Sequence, residues 1–203
     1  MAVPNLVTNG SFETTTLTGK GTFAGNVAGW GGGSRLTYLD YPGTADNGSY
    51  LSVYGPFPRV SPDGGKFVEA DGDPNYSSAI TQTINGLTIG TRYNVSFDQA
   101  AGQQAGFRGP TTERWQVLLG STQLSSQYSL PQSGVGPWQR QVLIFTATAA
   151  SEVLSFLAVG TPNGAPPVSF LDGVSLTTVP EPASLALLGA GLVGFGIARQ
   201  RRG

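Results

Sequence analysis

The chain of 203 residues contains no cysteine and no histidine. Their absence excludes a Ser-His-Asp triad, a thiol nucleophile, a thiolate cluster, and zinc or haem sites built from the usual ligands. A metal bound by this chain would have to be a hard cation held by oxygen. The absence of cysteine does not argue against export, because a chain of this length can bury a core large enough to fold without disulfides.

Charged residues are also scarce, at 11% of the chain, and the formal net charge is −1. Lysine occurs only as Lys20 and Lys66, and the arginines before residue 199 are scattered, so the sequence offers no nucleic-acid-binding surface. Aromatic residues reach 10%, whereas a disordered chain would have more charge and fewer aromatics. We therefore expect most of the chain to fold.

Glycine and proline, with 30 and 14 residues, are abundant and favour short strands joined by turns. Polar and apolar residues alternate with a period of two in several turn-bounded runs, as expected of strands. Three apolar sets are each predicted to share one face of a strand: Tyr93, Val95 and Phe97; Trp115, Val117 and Leu119; Trp138, Val142 and Ile144. Residues 1–178 therefore predict an all-β domain, an antiparallel sandwich or barrel.

The composition changes abruptly at residues 179–203. Pro180, Glu181 and Pro182 are followed by an uncharged apolar run, 183–198, and then by Arg199, Arg201 and Arg202. The run approaches the length of a transmembrane helix, and the arginines mark its cytoplasmic end. The alternative is an apolar helix of the soluble domain, which the glycines of the run disfavour in water.

This tail resembles the PEP-CTERM sorting signal of Gram-negative bacteria that make exopolysaccharide. The resemblance implies recognition of the Pro-Glu-Pro motif by an exosortase, which is an integral membrane protease, followed by release or transfer of the exported domain to the cell surface or the extracellular matrix. A tail anchor that is never cut is the other interpretation of the same residues. Export also requires an N-terminal signal, which residues 1–5 do not resemble, so we expect that signal to lie outside this sequence.

The domain itself is similar to the galactose-binding-like jelly roll, the sandwich of many carbohydrate-binding modules. The similarity rests on residues 5–13, Gly29-Trp30, and the runs 65–73, 80–84, 93–97 and 168–176. It implies an antiparallel jelly-roll β-sandwich, and the apolar run of the tail predicts one C-terminal transmembrane helix after it. It also implies that Trp30 and Trp138 are buried.

In calcium-containing members of that fold, an acid near the first strand and one on the last strand share a Ca²⁺ ion. The matching positions are Glu13 and Asp172, and two carboxylates with neutral carbonyls are suitable ligands for this ion. The other interpretation is that both acids cap strand ends in solvent. A second acidic stretch, Glu69 to Asn75, matches a calcium loop poorly and predicts a turn in which Asp and Asn bond their own backbone.

Glycans stack on exposed aromatic rings, which makes aromatic residues outside the core pattern the candidates for binding. The candidates in loops are Tyr38, Tyr41, Tyr50, Tyr54, Phe57, Tyr76 and Tyr128. Of the possible positions, Tyr41, Tyr54, Trp115 and Tyr128 are predicted to bind carbohydrate. Aromatic residues in loops also pack beneath their own loops, which is the alternative.

These observations predict an exported protein with a non-catalytic, carbohydrate-binding-like sandwich, with calcium as its cofactor and with an exosortase-type protease and an exopolysaccharide or other glycan as partners. The alternatives are a structural or adhesion protein of the matrix and a glycan-active hydrolase. Hydrolysis requires only two carboxylates, but no local signature indicates a pair.

Overall fold

The computed structural model describes residues 3–180. The predicted transmembrane helix, and the sorting signal from Glu181 onward, lie outside these residues. The described chain is an antiparallel β-sandwich, as predicted, and its long strands from β4 onward alternate between the two sheets in a jelly roll. Within residues 3–180, no helix is long and apolar enough to span a membrane.

Each sheet is a set of antiparallel neighbours. The first has the order β1 (Gly21–Thr22), β3 (Thr37–Asp40), β4 (Phe67–Asp71), β12 (Pro167–Thr178), β6 (Arg92–Gln103) and β10 (Val135–Thr146). The second has the order β2 (Gly31–Gly32), β5 (Ile80–Asn85), β11 (Ser151–Thr161), β7 (Thr111–Leu119) and β8 (Ser121–Leu124), with β9 (Tyr128–Leu130) also paired to β7.

The main core lies between the sheets and follows the predicted period of two. Tyr93, Val95 and Phe97 are buried on β6, and Trp115, Val117 and Leu119 are buried on β7. Phe156 of β11 makes edge contacts with the rings of Phe97 at 5.1 Å and Trp115 at 6.2 Å. Trp30 is buried in the same core, as predicted.

A second core covers the outer face of the first sheet. Residues 41–66, here called the covering segment, connect β3 to β4 and place Phe57 against Phe67 and Phe170 of that face. Trp138 packs beside these rings, 5.6 Å from Phe67 and 6.2 Å from Phe57. The burial predicted for Trp138 thus arises on the outer face of the sheet, under a loop, and not between the sheets.

Val142 and Ile144 share the outer face of β10 with Trp138, and the covering segment leaves them in solvent. They are 56% and 40% exposed, while Phe145, on the opposite face, is buried. Gln141 is held on the inner side by a hydrogen bond that its amide oxygen accepts from Ser126 N, at 3.0 Å. The sequence therefore predicted the shared face correctly, but that face is covered at one end only.

The first residues of the domain are fixed beside the last strand. Leu6 N donates to Leu176 O at 2.9 Å, and Val174 N donates to Gly10 O at 3.0 Å. Beyond β12, Val179 N still donates to Arg92 O, at 2.9 Å. These bonds bring the segment that carries Glu13 close to the part of β12 that carries Asp172.

Candidate functional site

Asp172 lies on β12, where a bulge interrupts the pairing with β6. Gly173, at the bulge, has a φ of 57°, a left-handed conformation that glycine adopts without strain. Asp172 is fully buried; its Oδ2 accepts a short hydrogen bond from Ser61 Oγ, and its Oδ1 accepts one from Gly173 N at 2.8 Å. Ser61 belongs to the covering segment, so the segment closes over this carboxylate.

Burial raises the pKa of Asp172 to about 8. The two hydrogen bonds oppose the rise, whereas the negative charges of Asp63 and Glu13 add to it. Three acids therefore lie near enough to affect one another, although no group of three or more acidic side chains within residues 3–180 meets at metal-binding distance.

Glu13 is held from the other side by the backbone before β4. Its Oε1 accepts a short hydrogen bond from Lys66 N, and its Oε2 lies 3.5 Å from Lys66 Nζ. Gly65 has a φ of 67°, and a Cβ there would lie 1.9 Å from Glu13 Oε1. Carboxylates such as those of Asp172, which is buried, and Glu13, which is partly exposed, are the oxygen ligands that a hard cation such as Ca²⁺ prefers. Lys66 already satisfies part of the charge of Glu13.

Two of the four predicted carbohydrate-binding residues are core residues. Trp115 is 1% exposed and its Nε1 donates to Phe170 O at 3.0 Å. Tyr128 is also buried, with its hydroxyl within hydrogen-bond distance of the carbonyls of Gln99 and Pro137. Neither ring offers a face to a ligand, so the prediction is wrong for these two residues. Trp115 shares the inward face of β7 with Val117, and Tyr128, the first residue of β9, is buried in a small cluster with Ala101 and Leu130.

Tyr54 and Tyr41 differ in their surroundings. Tyr54 is half-buried, and its hydroxyl donates to Phe107 O at 2.9 Å and accepts from Gly106 N at 3.2 Å, which ties the covering segment to the loop after β6. Tyr41 is 39% exposed. Its ring lies 3.9 Å from the point where a Cβ on Gly19 would be.

Tyr50 lies near the same turn and was considered but not selected from the sequence. It is 52% exposed, and its ring stacks on Tyr38 with a centroid distance of 4.5 Å and an interplanar angle of 18°. Lys20 Nζ lies 5.3 Å from the centroid of Tyr50, a cation–π geometry. Tyr38, Tyr41 and Tyr50 are here called the tyrosine patch; Tyr41 lies beside Gly19 and Tyr50 beside Lys20. The spacing of the three tyrosines was visible in the sequence, but the proximity of Tyr50 to Lys20 was not.

A shallow groove of about 550 Å³ lies elsewhere, at the β2 edge of the second sheet. Two of its polar side chains are bonded within the chain. The Gln82 side-chain amide accepts from Thr8 N and donates to Thr8 O and Gly29 O. Trp30, in its wall, donates from Nε1 to Asn9 O at 2.9 Å.

Comparison with known protein families decides the nature of the tail. Residues 178–202 match the family described as the PEP-CTERM protein-sorting motif. The tail carries the PEP-CTERM protein-sorting motif. The match covers the Pro-Glu-Pro motif, the apolar run and Arg199, Arg201 and Arg202, which are the residues predicted from the sequence. No curated protein matches the chain.

Solved structures similar to the sandwich domain include three carbohydrate-binding modules. TmCBM61, solved in complex with β-1,4-galactotriose, is 15% identical, with 87% of this chain and 99% of that chain covered and a TM-score of 0.47. A CBM4 structure is 17% identical, with 85% and 99% covered and a TM-score of 0.41. A family 16 carbohydrate-binding module is 15% identical, with 85% and 99% covered and a TM-score of 0.40.

Proposed function

We propose that this protein is exported, that an exosortase-type membrane protease processes its PEP-CTERM tail, and that its sandwich domain binds a glycan of the exopolysaccharide layer without altering it chemically. The sorting motif at residues 178–202 supports the first part. The motif implies a precursor held in the inner membrane by its apolar run and a product at the cell surface or in the extracellular matrix.

The tyrosine patch supports glycan binding. Two of its rings, Tyr41 and Tyr50, are exposed, and sugar rings stack on such faces through their C–H groups. Tyr50 is also held in place, because Tyr38 supports one face of its ring; a sugar that stacks on the ring displaces the Lys20 ammonium that lies over it. A ring that is ordered before binding loses less entropy when the ligand arrives.

The burial of the acids supports a non-catalytic role. Hydrolysis of a glycosidic bond requires two carboxyl groups on either side of an accessible substrate. Within residues 3–180, the acids with the most strongly raised pKa values are buried: Asp40, Glu69, Asp71, Glu113 and Asp172. A substrate cannot reach such groups without opening the fold.

A glycan array with the full chain in nonionic detergent tests this function. We expect binding to at least one polysaccharide, and we expect Tyr50→Ala and Tyr41→Ala each to weaken it by about tenfold, the equivalent of one aromatic stacking contact. Tyr76→Ala is the matched control, because Tyr76 is equally exposed at 51% but is not part of the tyrosine patch.

Three other outcomes point to other functions. If no glycan binds, the structural or adhesion alternative is favoured. If Tyr76→Ala weakens binding as much as Tyr50→Ala does, the tyrosine patch is not the site. If reducing ends are released during incubation, the protein is a hydrolase.

A further inference from the structure

Two acids lie side by side beneath the covering segment. Asp40 ends β3 and Glu69 lies in the middle of β4; Asp40 is paired with Phe67, and Tyr38 with Glu69. Asp40 and Glu69 are therefore diagonal neighbours on the outer face of the first sheet, a spacing that long side chains can bridge. They are here called the acid pair, and they are distinct from Glu13 and Asp172.

The carboxylate of Asp40 is poorly satisfied in the fold. The residue is 1% exposed, and both of its carboxylate oxygens are buried without a well-formed hydrogen bond. The Thr44 hydroxyl is near enough to lower the pKa of Asp40, but it donates its proton to Tyr41 O at 2.7 Å. Burying a carboxylate without any donor costs several kcal/mol, which makes an isolated Asp40 unfavourable.

Glu69 is fully buried and only partly satisfied. Its Oε1 accepts from Ser49 Oγ at 2.9 Å and its Oε2 from Leu51 N at 3.3 Å. Both donors belong to the covering segment. Burial raises the pKa of Glu69 well above its ordinary value, and the negative charge of Asp40 adds to the rise.

Among the residues that the structure describes, no lysine forms an ion pair with either acid. The two ion pairs formed within residues 3–180 are Lys66–Glu13 and Arg140–Asp98, so Lys20 does not come within 4 Å of either acid. The positive charge of Lys20 lowers the pKa values of Asp40 and Glu69 from a distance, and the ammonium group itself lies over the ring of Tyr50.

We propose that Asp40 and Glu69 together bind a hard divalent cation, Ca²⁺, beneath residues 44–51 of the covering segment. The buried and unpartnered carboxylate of Asp40 provides free oxygens, and Glu69 faces it from the neighbouring strand. Ca²⁺ accepts carboxylate, carbonyl and water oxygens in a flexible geometry, whereas Mg²⁺ requires a nearly ideal octahedron and releases its water reluctantly.

The cation links the covering segment to the sheet. Ser49 and Leu51 bond directly to Glu69, and Tyr50 lies between them in the chain. A cation at the acid pair therefore fixes the part of the segment that carries the exposed ring of Tyr50. The proposal does not depend on glycan binding, since a cation can hold this segment whether or not a ligand uses Tyr50.

Equilibrium dialysis of the full chain in detergent against Ca²⁺ tests the proposal. We expect the double variant Asp40→Asn, Glu69→Gln to bind one equivalent of Ca²⁺ less than the unmodified protein. Asp172→Asn is the control for the other candidate site and leaves the acid pair intact. An unchanged stoichiometry in the double variant overturns the proposal, whatever Asp172→Asn does.

Thermal unfolding gives a second readout and tests whether the double variant folds. Without Ca²⁺ the two amides remove a destabilising pair of buried charges, so the double variant should melt at or above the temperature of the unmodified protein in EDTA. In millimolar Ca²⁺ the order should reverse, because only the unmodified protein gains from binding at the acid pair. If the double variant melts at or above the temperature of the unmodified protein both in EDTA and in millimolar Ca²⁺, the result counts against a bound cation.

Lys20→Met separates the cation from a lysine counter-ion. If Ca²⁺ occupies the acid pair, removing the nearby positive charge should tighten Ca²⁺ binding, by about threefold to tenfold. If Lys20 itself neutralises the pair in solution, the variant should be destabilised in EDTA and should bind Ca²⁺ no more tightly. The second result overturns the proposal.

Discussion

The indole Nε1 of Trp115 donates a hydrogen bond to the carbonyl of Phe170, 3.0 Å away. Trp115 lies in the second sheet and Phe170 in the first, so this bond joins the two layers through the centre of the domain. Both residues are fully buried, which shields the bond from water. Phe170 also packs against Phe57 of the covering segment, with ring centroids 4.4 Å apart. One residue thus contributes to the cores on both sides of the first sheet.

Replacing Trp115 should therefore destabilise the domain without affecting any ligand site. Trp115→Phe keeps an aromatic ring but removes the N–H donor and part of the ring volume, and we expect a loss of about 2–4 kcal/mol in the free energy of unfolding. Urea unfolding followed by circular dichroism measures the loss. Glycan affinity under folding conditions should not change. A loss of affinity without a loss of stability would indicate that Trp115 contributes to the binding site.

Glu113 predicts a dependence of stability on pH. It is fully buried on β7 and neither carboxylate oxygen has a hydrogen-bond partner. Burial raises its pKa to about 7, and the nearby Thr111 hydroxyl opposes the rise. Because the folded pKa lies above the unfolded one, the folded state holds this proton more tightly. The contribution of Glu113 to stability is greatest below pH 4.5 and declines as the pH rises to about 7.

Glu113→Gln should remove this decline. The variant should match the unmodified protein near pH 4 and exceed its stability at pH 8 by about 3 kcal/mol, which corresponds to the shift in pKa. Glu152→Gln is the control, because the fold shifts the pKa of Glu152 in the opposite direction. Burial acts to raise the pKa of Glu152, but hydrogen bonds from the Thr148 hydroxyl and from Thr148 N and Ala149 N outweigh it and lower the pKa. That variant should lose stability above pH 4.5. Parallel pH profiles for all three proteins would contradict both assignments.

Calcium at Glu13 and Asp172 predicts a stabilisation that depends on those two carboxylates. EDTA should lower the melting temperature of the unmodified protein, and Asp172→Asn should respond less to added Ca²⁺. Asp73→Asn is the matched control: it removes another buried acid, one whose oxygens accept hydrogen bonds from Asn75 and Gly164. If Asp172→Asn and the unmodified protein gain equally from Ca²⁺, the ion does not bind at Asp172.

The sorting signal predicts where altered precursors accumulate. Glu181→Ala, or alanine at Arg199, Arg201 and Arg202 together, should leave unprocessed protein in the membrane of a host that contains an exosortase. The arginines follow the apolar run, where the positive-inside rule expects the cytoplasmic end, and Glu181 lies between the two prolines of the motif. Immunoblots of membrane and released fractions measure the outcome, with Ser184→Ala as the control. Normal release of the Glu181 variant would show that the motif is not recognised through its acid.

The strands of the domain were predictable because the residues that pack between two sheets alternate. Tyr93, Val95 and Phe97 of β6 are inside for this reason. The same pattern grouped Trp138 with Val142 and Ile144 but did not reveal which face of β10 they share, since a period of two is identical for either face. The covering segment has no periodicity, so the second core around Phe57 could not be predicted.

The same holds for the candidate sites: local patterns could be read from the sequence, but the pairing of residues that are distant in the chain could not. Glu13 and Asp172 were paired only through the resemblance to a known fold. The acid pair Asp40 and Glu69 requires the register of β3 against β4, which the sequence does not contain. Trp115 was considered for stacking although its alternation with Val117 already indicated the core. At residue 115, the alternation along the strand was therefore a more reliable guide than the presence of an aromatic ring.

The position of β12 determines how the domain would respond to a pulling force. β12 is the last strand before the tail and lies between β4 and β6 inside the first sheet. Tension applied at Pro180 would act along β12 and shear its hydrogen bonds to both neighbours together. The Leu6–Leu176 and Val174–Gly10 bonds would resist the same movement. A force on the C-terminal end of the domain would therefore meet the resistance of several bonds at once, and the unfolding rate under that force would set how long the domain stays folded.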